Sequence, residues 1–386
     1  MNALAMLSND EQDLSANVQN TQEGLTEHLD SLSVVTAYSH AVVNTVINPV
    51  SSPPESWFTP LNTNLNVAKT HALTWITDIA PEMGARIPQS IINFSNDFNA
   101  ATGEILRIID GAGGRPLTKD ETHKVIALIE ATLASVEEQE SDVISVKAQV
   151  LTLSKDFASD HTNLVSGQFS AANAVSLAEG ERLAIENKIG VLQTKLDAAR
   201  AKVTASGIGL GLSIFICVAA FALAVASGGA ATGLLVAGAV GFVGMAASAA
   251  TLGIFSAETS ALSQEIAEQQ RALNDKKKQV AALSGLNDTV SRLVTHNESA
   301  KSALTNVQTM WNTLGQKLKA VTDNLKKGKS AQEELRRSKI VTARTSWDQA
   351  RDWAQKIQDT ASGTQVLPPQ QDRKLRLVGG FGQSEW

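Results

Sequence analysis

Cysteine occurs once in this chain of 386 residues, at Cys217, so no internal disulfide can form. Tyrosine also occurs once, at Tyr38. There are nine prolines, and none lies between Leu117 and Leu367. So long a run without proline leaves helices uninterrupted. Basic residues are too few for a nucleic-acid binder: 33 Lys and Arg against 39 Asp and Glu give a formal net charge of -6. A basic stripe is the expected footprint of such a protein, so no nucleic-acid partner is expected.

Targeting and catalytic signatures are missing too. The opening MNALAMLSNDEQDLSANVQ has neither the cationic nor the apolar region of a cleaved leader, since Asp10, Glu11 and Asp13 fall where the apolar region belongs. The six histidines (His28, His40, His71, His123, His161, His296) stand apart from one another and from Cys217. There is no HExxH and no GxSxG. The glycines of Gly111–Pro116 lack the Lys-Ser/Thr ending of a phosphate loop. Gly328-Lys-Ser330 has Asp323 where the first glycine of that motif belongs. No cofactor, no metal and no enzymatic activity are expected.

One absence organises everything else. From Val203 to Ala257 there are fifty-five residues and not one charge. A bilayer core of about 30 Å is crossed by about 20 apolar residues in a helix, so this stretch holds two spans. It folds back at Gly228 and Gly229, giving arms Gly207–Ala226 and Ala231–Phe255. The residues expected to insert are Ile208, Leu210, Leu212, Ile214, Phe215, Ile216, Val218, Phe221, Leu223 and Val225 in the first arm. In the second they are Leu234, Leu235, Val236, Val240, Phe242, Val243, Met245, Leu252, Ile254 and Phe255. Many are β-branched and flank a Gly-Gly turn, a pattern that favours a β-hairpin in water. In lipid an isolated two-stranded ribbon cannot satisfy its backbone and a helix can.

The remainder reads as helix. A first amphipathic helix is predicted from about Asp10 to Asn48, on Leu14, Val18, Leu25, Leu29, Leu32, Val35, Val42 and Val46. A second carries Leu61, Leu65, Ala68, Ala72, Trp75 and Ile79 on one face; Pro81 and Pro88 interrupt or kink the helical pattern beyond it. Thr118 to Glu121 has the form of a capping box. Val125, Ile129, Val136, Val143, Val146, Val150, Leu153, Phe157 and Leu164 then mark a heptad seam. It weakens at a bend between Gly167 and Gly180 and resumes at Leu183. Beyond the apolar stretch a seam runs from Leu262 to Leu325. A last helix reaches about Ala361, with Leu335, Trp347, Ala350, Trp353 and Ile357.

Long helices, a central apolar hairpin between the two longest, and no enzyme motif together resemble the α-helical pore-forming toxins. The likeness is greatest to the tripartite group: haemolysin BL and non-haemolytic enterotoxin components of Bacillus and their Gram-negative counterparts, with cytolysin A more distant. The resemblance implies an all-α fold, an elongated bundle of antiparallel helices as a tail, and a hydrophobic head with a small β-tongue in the soluble form. It implies conversion to a ring oligomer in the target-cell membrane. Neither arm has a polar, water-lining stripe, which matches the B component and implies two further toxin components, one lining the pore. The expected divisions are 1–202 and 258–362 for the tail bundle, 203–257 for the inserting head and 363–386 for a mobile tail. Localisation is expected to be secreted without a cleavable signal peptide, then membrane-inserted. The alternative is a resident two-span membrane protein with a coiled-coil stalk; its flanks should carry a Lys/Arg excess, yet Glu258, Glu265 and Glu268 come directly after the stretch.

Overall fold

The structure, a computed structural model, describes residues 13–45, 56–174 and 275–362, together with Met6, Pro54, Gly180, Leu183, Ala184, Asn187, Val191 and Thr194. Every regular element among them is a helix: α1 Val18–Asn44, α2 Phe58–Thr74, α3 Ala80–Gly111, α4 Lys119–Ala174, α5 Asp275–Lys326, α6 Ala331–Glu334 and α7 Arg337–Ser362. The all-α class predicted from the sequence is the one observed. The chain divides into two compact units. The first holds Met1–Val43, Asn64–Asn163 and Val290–Thr364; the second holds Asn44–Thr63, Leu164–Thr289 and Gln365–Trp386.

In the first unit the long helices pair antiparallel. Along α4 and α5 the partners run in opposite order: Glu130 with Lys326 at 2.6 Å, Glu140 with Asn312 at 3.4 Å, Lys147 with Gln308 at 3.0 Å and Ser154 with Glu298 at 2.8 Å. All nine predicted seam residues of α4, Val125 to Leu164, are buried, as are Val290, Leu293, Leu304, Trp311, Leu314, Leu318, Val321 and Leu325 of α5. A repeat of 3.5 residues keeps one apolar stripe facing one neighbour over many turns, which is why this pairing was legible. The α3 and α7 helices are also antiparallel, from Asp110 with Arg337 at 3.1 Å to Gln89 with Gln358 at 3.0 Å. Phe94 of α3 meets Trp347 of α7 at 4.6 Å and Trp311 of α5 at 5.3 Å between ring centres, edge to face. These aromatics, with Phe98, close the core where three helices meet.

The capping box forms as predicted. The Thr118 amide donates to Glu121 Oε2 at 2.8 Å, and the Glu121 amide donates to Thr118 Oγ1 at 3.3 Å. Arg115 closes over the same carboxylate and holds it well below the usual carboxylate range. The preceding turn has Gly113 and Gly114 at φ +58° and +86°, the left-handed region. Thr118→Ala removes the cap and is expected to lower stability by about 1 kcal/mol; a urea titration followed by far-UV dichroism measures it. At the far end of α5, Gly328 at φ +83° ends the helix, with the Gly328 amide on Leu325 O and the Lys329 amide on Asn324 O.

Four local expectations need correction. The first helix starts at Val18, not near Asp10. Lys317 Nζ donates to Asp13 O at 2.8 Å and Trp347 Nε1 to Leu14 O at 2.9 Å. The Asn17 amide, which would have closed the first helical turn on Asp13, goes to Met6 O instead. Asn17 Oδ1 then caps α1 by accepting the Asn20 amide at 3.1 Å. Second, Pro81 and Pro88 do not interrupt the rod. A π turn at Trp75–Ile79 joins α2 to α3, Pro81 falls in the first turn of α3, and Gly84 stands four residues before Pro88, where a proline ring crowds the chain. Third, α4 runs unbroken through Gly167 to Ala174, the rest of the expected bend, 175–179, lies outside the described residues, and Leu183, expected in the seam, is exposed. Fourth, the last helix is two, α6 and α7, parted at Leu335 and Arg336.

In the second unit, Leu61 of α2 lies against Gly167 of α4: a Cβ at that glycine would come within 2.5 Å of Leu61 Cδ1. Gln168 Oε1 accepts a hydrogen bond from Asn287 Nδ2, continuing the antiparallel order of α4 and α5.

Candidate functional site

The residues predicted to insert, Ile208 to Phe255 with the turn at Gly228 and Gly229, lie outside the described residues. The same holds for the seam residues from Ile189 to Leu273 and for the tail at 363–386. Among the described residues no helix is long and apolar enough to cross a membrane. None of them forms a group of three or more His, Cys, Asp or Glu side chains able to hold a metal ion. What the structure does place are the two long helices that lead into the apolar stretch and out of it, α4 and α5, and the polar groups built into their packing.

These polar groups occupy seam positions. Gln139 comes three residues after Val136 and four before Val143. Asp160 stands likewise between Phe157 and Leu164, Asn287 between Leu283 and Val290, and Asn297 between Leu293 and Ala300. Gln139, Asp160, Asn287 and Asn297 are all buried. Asn297 Nδ2 donates to Val150 O at 3.3 Å, and its Oδ1 is buried without a hydrogen-bond partner. Asp160 Oδ2 meets His71 Nδ1 at 2.8 Å, which ties α2 to α4. Burial pushes the Asp160 carboxyl up, and the His71 hydrogen bond acts against that shift. A polar residue inside an apolar seam accepts one partner at one level, so it fixes register at some cost in stability. Asn297 and Asn287 each fix the alignment of α5 on α4 at one level, and Asp160 fixes that of α2.

The first helix carries a further inclusion. His28 is completely buried, with Nε2 at 3.0 Å from Met83 O of α3 and Nδ1 without a partner. Desolvation drives its pKa down to about 4, against a smaller upward pull from the Met83 carbonyl. His40 is shifted down by burial too, and Glu27 is shifted up, first by burial and then by Asp30. Ser31, Ser33 and Ser39 on α1 are buried as well. A helix buried this widely with hydroxyls and an imidazole packs less favourably than an apolar one.

Sequence reasoning singled out none of these groups, yet the signal was present. His28 falls three residues after Leu25 and four before Leu32; His71 falls three after Ala68 and four before Trp75. Each sits on its helix's apolar face, where a polar residue is either paired or strained.

Comparison with known proteins completes the site. The model of the Bacillus haemolytic enterotoxin (HBL) family matches residues 34–199. No curated protein matches the chain in sequence. Among solved structures, soluble AhlB of the tripartite α-pore-forming toxin AHL from Aeromonas hydrophila is similar with a TM-score of 0.72 and 18% identity, over 92% of this chain and 96% of that one. Soluble SmhB of the tripartite toxin Smh from Serratia marcescens has a TM-score of 0.68 and 19% identity, over 90% and 93% of the two chains. Soluble SmhA of the same toxin has 0.69 and 13%, over 93% and 98%. The chain thus has the fold of the soluble components of tripartite α-pore-forming toxins.

Proposed function

We propose that the chain is the membrane-spanning component of a multi-component α-pore-forming toxin, which passes from a soluble form to a ring oligomer inserted in a target-cell membrane. The observation that carries this reading is the uncharged run of fifty-five residues, Val203 to Ala257, set between the two longest helices of the fold. Exposed apolar patches beyond a few hundred Å² are rare on soluble monomers, so such a stretch must be covered in water and has a destination in lipid.

The fold alone does not select the component, because both an A and a B component are similar to this chain. The arms do. A water-filled pore needs a polar face on its lining helices, and the polar residues here, Ser213, Ser227, Thr232, Ser248, Thr251 and Ser256, make no charged stripe. Two apolar arms suit a B-type subunit that spans lipid while a partner supplies the hydrophilic lining. The inserting residues are those of the two arms, with the turn at Gly228 and Gly229. The same reading divides the chain into tail bundle, head at 203–257 and C-terminal tail. The protein acts outside the producing cell, with two further components, and needs no catalytic centre.

Liposomes test this. The pure protein is expected to co-float with vesicles and to give little sustained conductance in a planar bilayer. Addition of A-type and C-type components should produce dye release. Large stable currents from the pure protein would assign it to the one-component toxins, and failure to bind vesicles under any combination would end the reading.

A further inference from the structure

A second heptad series runs along the outside of α4, opposite its buried seam. Its members are Ala134, Glu137, Ser141, Ile144, Ala148, Leu151, Lys155 and Ala158, spaced alternately by three and four. All eight are exposed, including Ile144 at 45% and Leu151 at 36%. Ile144 and Leu151 stand one heptad apart at the centre of this face with Ala148 between them, an apolar strip rather than a single exposed side chain. Between Val143 and Lys155 the neighbouring surface positions are Ser145, Gln149 and Thr152, with Lys147 turned to Gln308 of α5. Loss of charge around an apolar strip is the compositional mark of an interface core.

The series is complementary to itself, in one direction only. Laid antiparallel about a twofold axis near residue 146, Ala134 meets Ala158, Glu137 meets Lys155, Ser141 meets Leu151 and Ile144 meets Ala148, each pair occurring twice. Every large side chain then faces a small one, and the two charges of the strip are neutralised reciprocally. Laid parallel, Glu137 faces Glu137 and Lys155 faces Lys155, which repel. We infer that the outer face of α4 is a self-association surface on which a second copy of this chain docks antiparallel through residues 134–158.

Its size sets its strength. Twenty-five helical residues span about 37 Å, and a seam about 10 Å wide covers about 400 Å² per partner. That is about half of the roughly 800 Å² per partner of a standard stable interface. The pair is a weak one, in exchange with monomer. The pairing itself does not depend on the proposed function. Its consequence does: antiparallel partners carry their apolar stretches in opposite directions, so they must part before both enter one bilayer in the same sense.

Sedimentation velocity on the full chain over a concentration series is expected to show reversible dimer at tens to hundreds of micromolar, as for weak contacts below standard size. Lys155→Glu should weaken association about tenfold or more, and Glu137→Lys combined with Lys155→Glu should restore it. The double variant also controls for folding. Orientation is read by crosslinking in a Cys217→Ala background. Glu138→Cys and Thr152→Cys proteins should crosslink with each other and not with themselves. A chain that stays monomeric throughout the series overturns the inference. So does like-with-like crosslinking, or a charge reversal that changes nothing.

Discussion

Phe215→Asp and Phe242→Asp are each expected to abolish lysis while leaving a soluble, folded protein. Each stands near the middle of one apolar arm, Gly207–Ala226 or Ala231–Phe255. A charge at the centre of a span costs about 2.5–3.5 kcal/mol on insertion scales, and every subunit of a ring meets that cost again. Even one subunit's share is a factor of about fifty or more in the insertion equilibrium. The helical bundle should be untouched, because its core is built from residues that belong to neither arm, among them Phe94, Trp311 and Trp347. The measurement is dye release from vesicles in the presence of the other components, with far-UV dichroism and a thermal melt as the folding control. Undiminished release by both variants would remove the arms from the membrane.

Acidification is expected to loosen the first unit through His28. The buried imidazole has its pKa lowered to about 4 in the fold, against about 6.5 in an unfolded chain. Between those values the unfolded state binds the proton and the folded state does not. Stability from this group is therefore complete above about pH 6.5, falls as pH drops, and has been lost by about pH 4. At about 1.4 kcal/mol per unit, the loss is on the order of 3 kcal/mol. His40 is shifted in the same direction. Asp160 and Glu27 have raised values, so the folded state holds their protons more firmly and they oppose the loss at the acid end. His28→Gln keeps a donor for Met83 O and removes the titration. Urea midpoints measured from pH 7.5 to 4.5 should fall steeply in the parent and much less in His28→Gln. Parallel curves for the two proteins would show that another group sets the acid response.

The long seams were legible because a 3.5-residue repeat is a property of the sequence itself. Val125 to Leu164 lie on one stripe whichever partner they meet, and all nine are buried. The capping box was readable for the same reason, since its two residues are three apart and answer each other. What could not be read depends on distant residues. Leu14 has helical spacing to Val18, yet its carbonyl is taken by the indole of Trp347, 333 positions along the chain. The aromatic cluster joins Phe94, Trp311 and Trp347 from three helices, and nothing local announces it. Pro81 and Pro88 read as interruptions or kinks because a proline's own dipeptide does not show that Pro81 opens α3 in its first turn or that packing carries α3 on through Pro88. As for the candidate site, the two arms proposed to insert rest on the absence of charge alone and lie outside the described residues, whereas the buried polar groups at Asp160, Asn287 and Asn297 find their partners on other helices, which no local pattern announces.

The π turn at Trp75–Ile79 gives the α2–α3 rod a built-in slack. A π turn carries one residue more than the α-helix around it needs. Expelling that residue toward the loop before Phe58 would let the rod re-form as plain α-helix without melting. The whole of α2 would then turn by about 100° and travel about 1.5 Å relative to α3. That single click would swing His71 off Asp160 and bring a different face of α2 onto α4. Val67 and Leu73, now exposed on α2, would turn with it. A slip of one residue at this turn would thus change the contacts of α2 while leaving the rod helical from end to end.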